Sequence, residues 1–113
     1  MITPSNYDMN AYQGATFDVT ITWSLDDTPV NLTGYTAAMQ IREHVATPVV
    51  LSLQSGYGIT LGGDSGTITI TIDATTMTGI SSGRYVYDLE LYTGSEVTRL
   101  LQGQFLVSSE VTK

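Results

Sequence analysis

Apolar and polar residues alternate along most of this chain, which is the pattern of β-strands that bury one face. The clearest case is residues 67–72, where isoleucine and threonine take turns. The other candidate strands are residues 16–23, 35–43, 49–53, 59–61, 84–92 and 97–107. No segment has the 3.6-residue period of a long helix. Residues 73–77 are predicted to form a single helical turn, with Asp73 as its N-cap.

The apolar faces of these strands define the predicted core. Trp23, Ile70, Tyr85 and Phe105 each lie on such a face, so we expect two sheets to close over them. The last strand is apolar on both faces. This predicts either cover on both sides or a β-bulge, and Gly103 is the expected bulge site.

The spacing of the strands, roughly ten residues, is typical of a β-sandwich. The run Gly83-Arg84-Tyr85-Val86-Tyr87 resembles the start of strand F in immunoglobulin-like sandwiches, where a tyrosine packs under the preceding loop. The expected fold is therefore an all-β, immunoglobulin-like antiparallel β-sandwich of six to eight strands. We expect residues 1–113 to form one domain, with residues 1–10 as an extended N-terminal arm and 108–113 as a C-terminal tail.

Composition and charge narrow the choice of partners. Charged residues make up 13% of the chain, against roughly 25% in an average domain, and the formal net charge is −7. The basic residues are few and scattered: Arg42, Arg84, Arg99 and Lys113. We predict no nucleic-acid partner, because phosphate binding needs clustered basic side chains. We also predict no membrane association, because anionic lipid repels such a chain and no apolar run approaches about 20 residues.

Residues that could carry chemistry are sparse. The chain has no cysteine, and the single histidine, His44, has no nucleophile and orienting carboxylate in a recognisable motif. Asp26, Asp27 and Asp64 lack the spacing of a calcium loop, and the glycines of residues 62–66 precede a strand and lack a lysine. We therefore predict no catalytic residue, no metal, no cofactor and no small-molecule substrate, and we expect that the protein is not an enzyme.

Aromatic and apolar residues outside the predicted core are the candidate contacts with partners, because tyrosine is enriched at protein interfaces. The predicted partner-binding residues are Ile2, Pro4, Tyr7, Met9, Tyr12, Tyr57 and Tyr92. An alternative function is a carbohydrate-binding module of similar fold. That alternative requires exposed coplanar aromatic rings, with Tyr57 and Tyr92 as the candidates.

Three parts of the sequence resemble small structural proteins of bacteriophage particles that contain immunoglobulin-like domains. They are QGATF at 13–17, PVNLTGYT at 29–36 continuing to QIRE at 40–43, and GRYVYDLEL at 83–91 running into VTRLLQG at 97–103 and SSEVT at 108–112. The resemblance implies a non-enzymatic virion protein that docks onto other virion proteins. It would be a tail or baseplate adaptor related to receptor-binding-protein adaptors, or a capsid cement or decoration protein. Several copies per particle would be assembled in the host cytoplasm.

Overall fold

The computed structural model describes residues 5–44 and 47–109 of the chain. Its strands are β1 (Ser5–Asn6), β2 (Met9–Tyr12), β3 (Phe17–Thr22), β4 (Ser24–Leu25), β5 (Thr28–Pro29), β6 (Thr36–Arg42), β7 (Val49–Ser55), β8 (Gly58–Leu61), β9 (Thr67–Ile72), β10 (Gly83–Thr93) and β11 (Glu96–Ser108). A short 3-10 turn spans Gly63–Ser65, and the helix α1 spans Ala74–Thr78. The all-β prediction is confirmed, and each predicted strand corresponds to an observed one.

The strands pair along one continuous path, in the order β1-β11-β10-β6-β7-β8-β9-β3, and β2 also pairs with β11. The small hairpin β4–β5 lies outside this path. The path folds back on itself, because Phe17 of β3 and Phe105 of β11 meet edge to face with ring centroids 5.2 Å apart. One layer therefore holds β1, β2, β11, β10, β6 and β7, and the other holds β8, β9 and β3.

The core lies between these layers and is built by the predicted alternation. Ile68, Ile70 and Ile72 of β9 are all buried, while the threonines between them are more exposed. Tyr85 and Phe105 are buried as well, in the opposite layer. Because burying a side chain of this size stabilises a fold by roughly 1.5–3 kcal/mol, these residues supply much of the drive to close the sandwich.

The local predictions around the end of β9 are also confirmed. The carboxylate of Asp73 accepts a hydrogen bond from the backbone N–H of Thr76 at 2.7 Å, which caps α1. This bond lowers the pKa of Asp73. After the helix, the Tyr85 hydroxyl donates to the carbonyl of Ser81 at 2.6 Å. That bond is the tyrosine corner of immunoglobulin-like sandwiches, and it supports the assignment of this fold.

The bulge in β11 lies at a different residue from the predicted one. The pairing of β10 with β11 runs from Leu89 with Leu101 to Glu90 with Arg99, which leaves Leu100 as the extra residue. Leu100 and Leu101 are consequently both buried. Gly103 instead pairs regularly with Tyr87, so the prediction of a bulge was right but its position was wrong.

The described part of the predicted N-terminal arm, from residue 5 onward, is packed against the sheet. Residues 5–12, called here the N-terminal segment, pair in parallel with β11 through β1 and β2. Met9 is 3% exposed and belongs to the core, because its side chain points between the layers. At the other end Ser108 is still part of β11, opposite Tyr12, so the predicted tail begins one residue later at the earliest.

Candidate functional site

The structure places the predicted contact residues at three separate locations. Tyr7 and Tyr12 lie on the N-terminal segment and are 44% and 60% exposed. Tyr57 is 65% exposed in the turn between β7 and β8, where its N–H donates to the Gln54 carbonyl at 2.7 Å. Tyr92 is half-buried on β10. No single surface therefore contains all of them.

The remaining predicted contacts do not lie on the described surface. Met9 is buried, so its side chain stabilises the sandwich and is a poor candidate for binding a partner, contrary to the prediction. Ile2 and Pro4 lie outside the described residues.

Several contacts of different kinds fix the N-terminal segment to the sheet. The N–H of Tyr7 donates to the Gln102 carbonyl at 2.9 Å, and the buried hydroxyl of Tyr87 donates to the carbonyl of Tyr7. The carboxylate of Asp8 accepts from the N–H of Gln104 at 3.0 Å. Burial is the main cause that raises the pKa of Tyr87. Tyr7, between β1 and β2, and Tyr12, at the end of β2, are thus presented on a segment that is held against β11.

Gly103 is required where this segment crosses β11. A Cβ atom added at position 103 would lie 2.5 Å from the carbonyl oxygen of Tyr7 and 3.0 Å from a carboxylate oxygen of Asp8. Atoms do not approach so closely without a shift of the backbone, so any larger residue would push the segment away from β11. The function of Gly103 is therefore close approach, which replaces the bulge expected from the sequence.

A groove lies between the N-terminal segment and β3, on the side of the sandwich where the two layers end. We call it the β2–β3 groove; its volume is about 400 Å³. The residues that line it include Tyr7, Met9, Ala11, Tyr12, Phe17 and Val19. Two exposed carboxylates, Asp8 and Asp18, line it as well, and none of the basic residues in the described part of the chain does. The groove is apolar at its base and acidic at its surface.

A second concavity, of about 680 Å³, lies on the outer face of β6, β10 and β11. Polar side chains dominate it, including Gln40, Asp88, Glu90, Tyr92 and Arg99. The guanidinium of Arg99 lies 3.3 Å from the carboxylate of Glu90 and 3.6 Å from that of Asp88. Arg99 thus pairs with both carboxylates of this face.

Two groups of this outer face, Asp88 and Tyr92, have raised pKa values. Burial, followed by the neighbouring Glu90, raises the pKa of Asp88. The hydroxyl of Tyr92 donates to Glu90 at 2.7 Å, and this bond is the main cause that raises the pKa of Tyr92. The raised pKa of Asp88 favours its protonated form, so this carboxyl carries less negative charge near the ordinary aspartate pKa than an isolated one would.

His44 lies in the loop after β6, where its backbone is held by Thr47. The N–H of His44 donates to the Thr47 hydroxyl at 3.0 Å, and that hydroxyl donates to the His44 carbonyl at 2.8 Å. Within residues 5–44 and 47–109, no group of three or more side chains of the metal-ligating types comes together. In the same described residues, no helix has the length and hydropathy needed to cross a membrane.

Sequence reasoning did not predict the β2–β3 groove. It identified Phe17 and Val19 as one face of a strand, and it identified Tyr7 and Tyr12 as contacts, without bringing the two sets together. One signal was available: Tyr7, Met9 and Ala11 alternate with polar residues, which is the pattern of a half-buried strand. That pattern would have placed residues 7–11 in a sheet.

The chain matches no protein-family model and no curated protein. It is similar to a solved structure of the extracellular domain of the voltage-gated sodium channel beta4 subunit, a protein described there as a parallel homodimer with a role in cell–cell adhesion. The two chains share 12% identity, the alignment covers 98% of each, and the TM-score is 0.46. Because this score is too low to carry a conclusion, the immunoglobulin-like assignment of this chain depends on its own strand pairing and tyrosine corner.

Proposed function

We propose that this protein is a non-enzymatic docking domain that binds other proteins and serves as a structural component of a bacteriophage particle. It would be a tail or baseplate adaptor, or a capsid cement or decoration protein, present in several copies and incorporated as particles assemble in the host cytoplasm. The observation that carries the docking function is the pair of exposed tyrosines, Tyr7 and Tyr12, beside the β2–β3 groove. The bacteriophage setting is supported by the resemblance of the three sequence segments described above.

The way these tyrosines are held favours docking. Tyrosine offers a large contact area with few rotatable bonds, and here its backbone is already fixed by pairing with β11. Binding therefore does not have to order the segment, and the smaller loss of conformational entropy favours affinity. A docking domain needs such a presented surface and a stable scaffold, and it needs no reaction.

Point substitutions test this function better than removal of the N-terminal residues. A deletion of residues 1–10 would remove Met9 from the core and would confound binding with folding. The double variant Tyr7→Ser, Tyr12→Ser leaves Met9 and Ala11 in place. Tyr57→Ser is the control, because Tyr57 is at least as exposed but lies in the turn between β7 and β8.

The experiment is mass spectrometry of purified particles from cells in which the gene is expressed with the rest of its viral genome. We expect the unmodified chain and Tyr57→Ser to be incorporated at the same fixed number of copies per particle. The double variant should be absent from the particles. Absence of the unmodified chain from particles would contradict the virion function. Equal incorporation of all three proteins would remove Tyr7 and Tyr12 from the docking surface.

A carbohydrate-binding function is the second candidate, and the concavity on the outer face of β6, β10 and β11 favours it. Its volume is within the range of small-ligand sites, and planar polar side chains line it together with Tyr92. Titration with host-surface polysaccharide tests it, with Tyr92→Ala and Tyr57→Ala as the paired variants. Saturable binding that is lost in Tyr92→Ala and kept in Tyr57→Ala would support it, and no saturable binding would exclude that polysaccharide.

A further inference from the structure

β3 lies at one end of the sheet. β3 ends the path of paired strands, so within the described part of the chain its second edge has no neighbour. Six residues, Phe17–Thr22, form this edge. Natural proteins usually cover such an edge or protect it with charges, because it can pair with another chain. Here Asp18 is the one charged residue of the strand.

The pairing pattern identifies which backbone groups point outward from β3. The N–H of Trp23 donates to the Gly66 carbonyl at 2.9 Å, and Trp23 and Gly66 continue the register in which Thr22 lies opposite Thr67. In antiparallel pairs, hydrogen-bonded and non-bonded positions alternate. The odd-numbered residues of β3 therefore bond to β9, and the N–H and C=O groups of Asp18, Thr20 and Thr22 face the open edge.

A second hydrogen bond independently supports the same assignment of bonded and outward-facing residues in β3. The N–H of Gly62 donates to the carbonyl of Thr67 at 2.8 Å, so the Thr67 backbone faces β8. Its neighbour Ile68 must then face β3, where it pairs with Ile21. In addition, the hydroxyls of Thr20 and Thr69 lie 3.1 Å apart, as expected for the closer side chains of a non-bonded pair.

The β2–β3 groove adjoins this edge and adds side-chain contacts to the backbone ones. Val19 and Ile21 point inward but are only half-buried, because no strand covers them on the open side. An extended segment bonded to β3 would place every second side chain over Val19 and Ile21 and toward Tyr7 and Met9. Its other side chains would continue the hydroxyl face next to Asp18 and Thr20.

Charge indicates what kind of segment fits. Asp8 and Asp18 both line the groove, no basic side chain among residues 5–44 and 47–109 does, and the whole chain has a net charge of −7. A second copy would bring the same negative charge to the same place, which disfavours self-association through this edge. A lysine or arginine in the incoming segment would be attracted to both carboxylates.

We propose that the free edge of β3 and the β2–β3 groove bind an extended segment of a partner protein by strand addition. The segment carries apolar residues at alternate positions and at least one basic residue. This inference depends on the proposed docking function, since it names the surface and the partner chemistry of that function. The backbone of Asp18, Thr20 and Thr22 supplies the hydrogen bonds, and the groove selects the side chains.

The first test uses a defined probe, the labelled peptide acetyl-Lys-Val-Thr-Val-Thr-Val-Lys-amide, measured by fluorescence anisotropy. Two isomers carry two N-methyl groups each, one on the first two valines and the other on the two threonines. N-methylation removes a backbone donor and adds bulk on one edge of the peptide. Only one edge can face β3, so we expect one isomer to lose about tenfold or more in affinity while the other keeps it.

A variant pair on the protein locates the binding edge. Thr20→Pro removes an outward N–H from β3. The control Ser52→Pro removes an outward N–H from β7, at a residue that precedes the short pairing of β7 with β8. The N–H of Gln54 points from β7 to the Tyr57 carbonyl, so the N–H of Ser52, two residues earlier, also points away from β6. Circular dichroism and thermal unfolding establish that both proteins fold. We expect Thr20→Pro to weaken peptide binding about tenfold and Ser52→Pro to leave it unchanged.

Three results would overturn the inference: no saturable binding of the unmethylated peptide up to about 1 mM, equal affinity of the two methylated isomers, or equal binding by the two proline variants. A peptide with glutamate in place of both lysines should bind more weakly, and equal affinity would refute the charge argument. Particle incorporation separates this inference from the proposed function. If Thr20→Pro folds and still enters particles, the partner docks elsewhere. If the unmodified chain binds peptide but is absent from particles, strand addition stands and the virion function falls.

Discussion

The strands β11 and β3 lie toward the two ends of the path of paired strands, and they differ in whether another segment of the chain covers their outer edge. The edge of β11 is covered by residues 5–12 of the same chain, which contribute backbone pairing, the Asp8 carboxylate and the buried side chain of Met9. The edge of β3 has no such cover within the described residues. One edge is therefore part of the folded core, and the other is left for contacts that the fold itself does not need.

This difference has a measurable consequence. Changes in the N-terminal segment, or in the residues that hold it, should cost folding stability because buried groups lose their partners. Removal of an outward N–H of β3 should cost little, since it interrupts no backbone bond of the folded chain and the hydroxyl contact of Thr20 with Thr69 is exposed. The variants below are ordered from the largest expected loss of stability to the smallest.

The largest effect is expected for Met9→Ala. Met9 is buried between the layers, so its truncation removes apolar contacts and leaves a cavity. We expect a loss of about 2–4 kcal/mol in the free energy of unfolding, measured by urea denaturation. Val97→Ala is the control, because Val97 is largely exposed and its truncation should change stability by less than about 0.5 kcal/mol. Similar losses in both variants would show that the segment does not contribute to the core.

Gly103→Ala tests the crossing of the N-terminal segment over β11. The new methyl group would collide with the Tyr7 carbonyl, and we expect a loss of about 1–3 kcal/mol from the strain or from detachment of the segment. Hydrogen exchange at the Tyr7 N–H should become faster. Gly79→Ala is the matched control, since its added Cβ meets nothing closer than 3.5 Å. Unchanged stability and exchange in Gly103→Ala would mean that the close approach is not required.

Most of the fold follows from local alternation, and Ile70 shows why. The alternation around Ile70, its β-branched side chain and its neighbouring residues all indicate a buried strand position, so the sequence alone predicts where it lies. Gly103 shows where local reading fails. A glycine in a strand is compatible with a bulge or with close approach of another backbone, and the approaching residue, Tyr7, is distant in sequence. Only the complete pairing distinguishes these two uses.

The candidate site is less predictable than the fold for a related reason. Val19 and Ile70 lie opposite each other and occupy equivalent positions in two alternating strands, yet Val19 is half-buried at an edge and Ile70 is fully buried in the sheet. Alternation indicates which face of a strand is apolar, but it does not indicate whether the strand has one neighbour or two. The free edge of β3 becomes visible only when every strand has been paired.

Tyr87→Phe removes the hydroxyl that bonds the carbonyl of Tyr7. The aromatic packing is kept, but the carbonyl loses a buried donor, and we expect a loss of about 1–2 kcal/mol in the free energy of unfolding. Tyr57→Phe is the control, because Tyr57 is exposed and its hydroxyl has no protein partner among the described residues. Equal stability of Tyr87→Phe and the unmodified protein would show that this bond does not hold the segment.

The same hydroxyl makes stability depend on alkaline pH. Burial raises the pKa of Tyr87 above the ordinary tyrosine value of about 10, so the folded state keeps the proton longer than the unfolded state. Its contribution is complete below about pH 10 and is lost as the pH rises toward the folded pKa. Denaturation at increasing pH should therefore show a shallower decline for Tyr87→Phe. Part of the decline should persist, because the pKa values of Tyr85 and Tyr92 are raised too.

The smallest loss is expected for Thr20→Pro, and the comparison of the two edges depends most directly on it. Proline has no N–H and is tolerated in strands where that N–H faces solvent. The Thr20 N–H faces the open edge, so the variant should lose no more than about 1 kcal/mol, whereas Val19→Pro would deprive the Ile70 carbonyl of its donor and should cost about 2–3 kcal/mol. Urea denaturation of the two variants measures the difference. Equal losses would mean that β3 is not free on its outer side, and strand addition would then have no edge on which to occur.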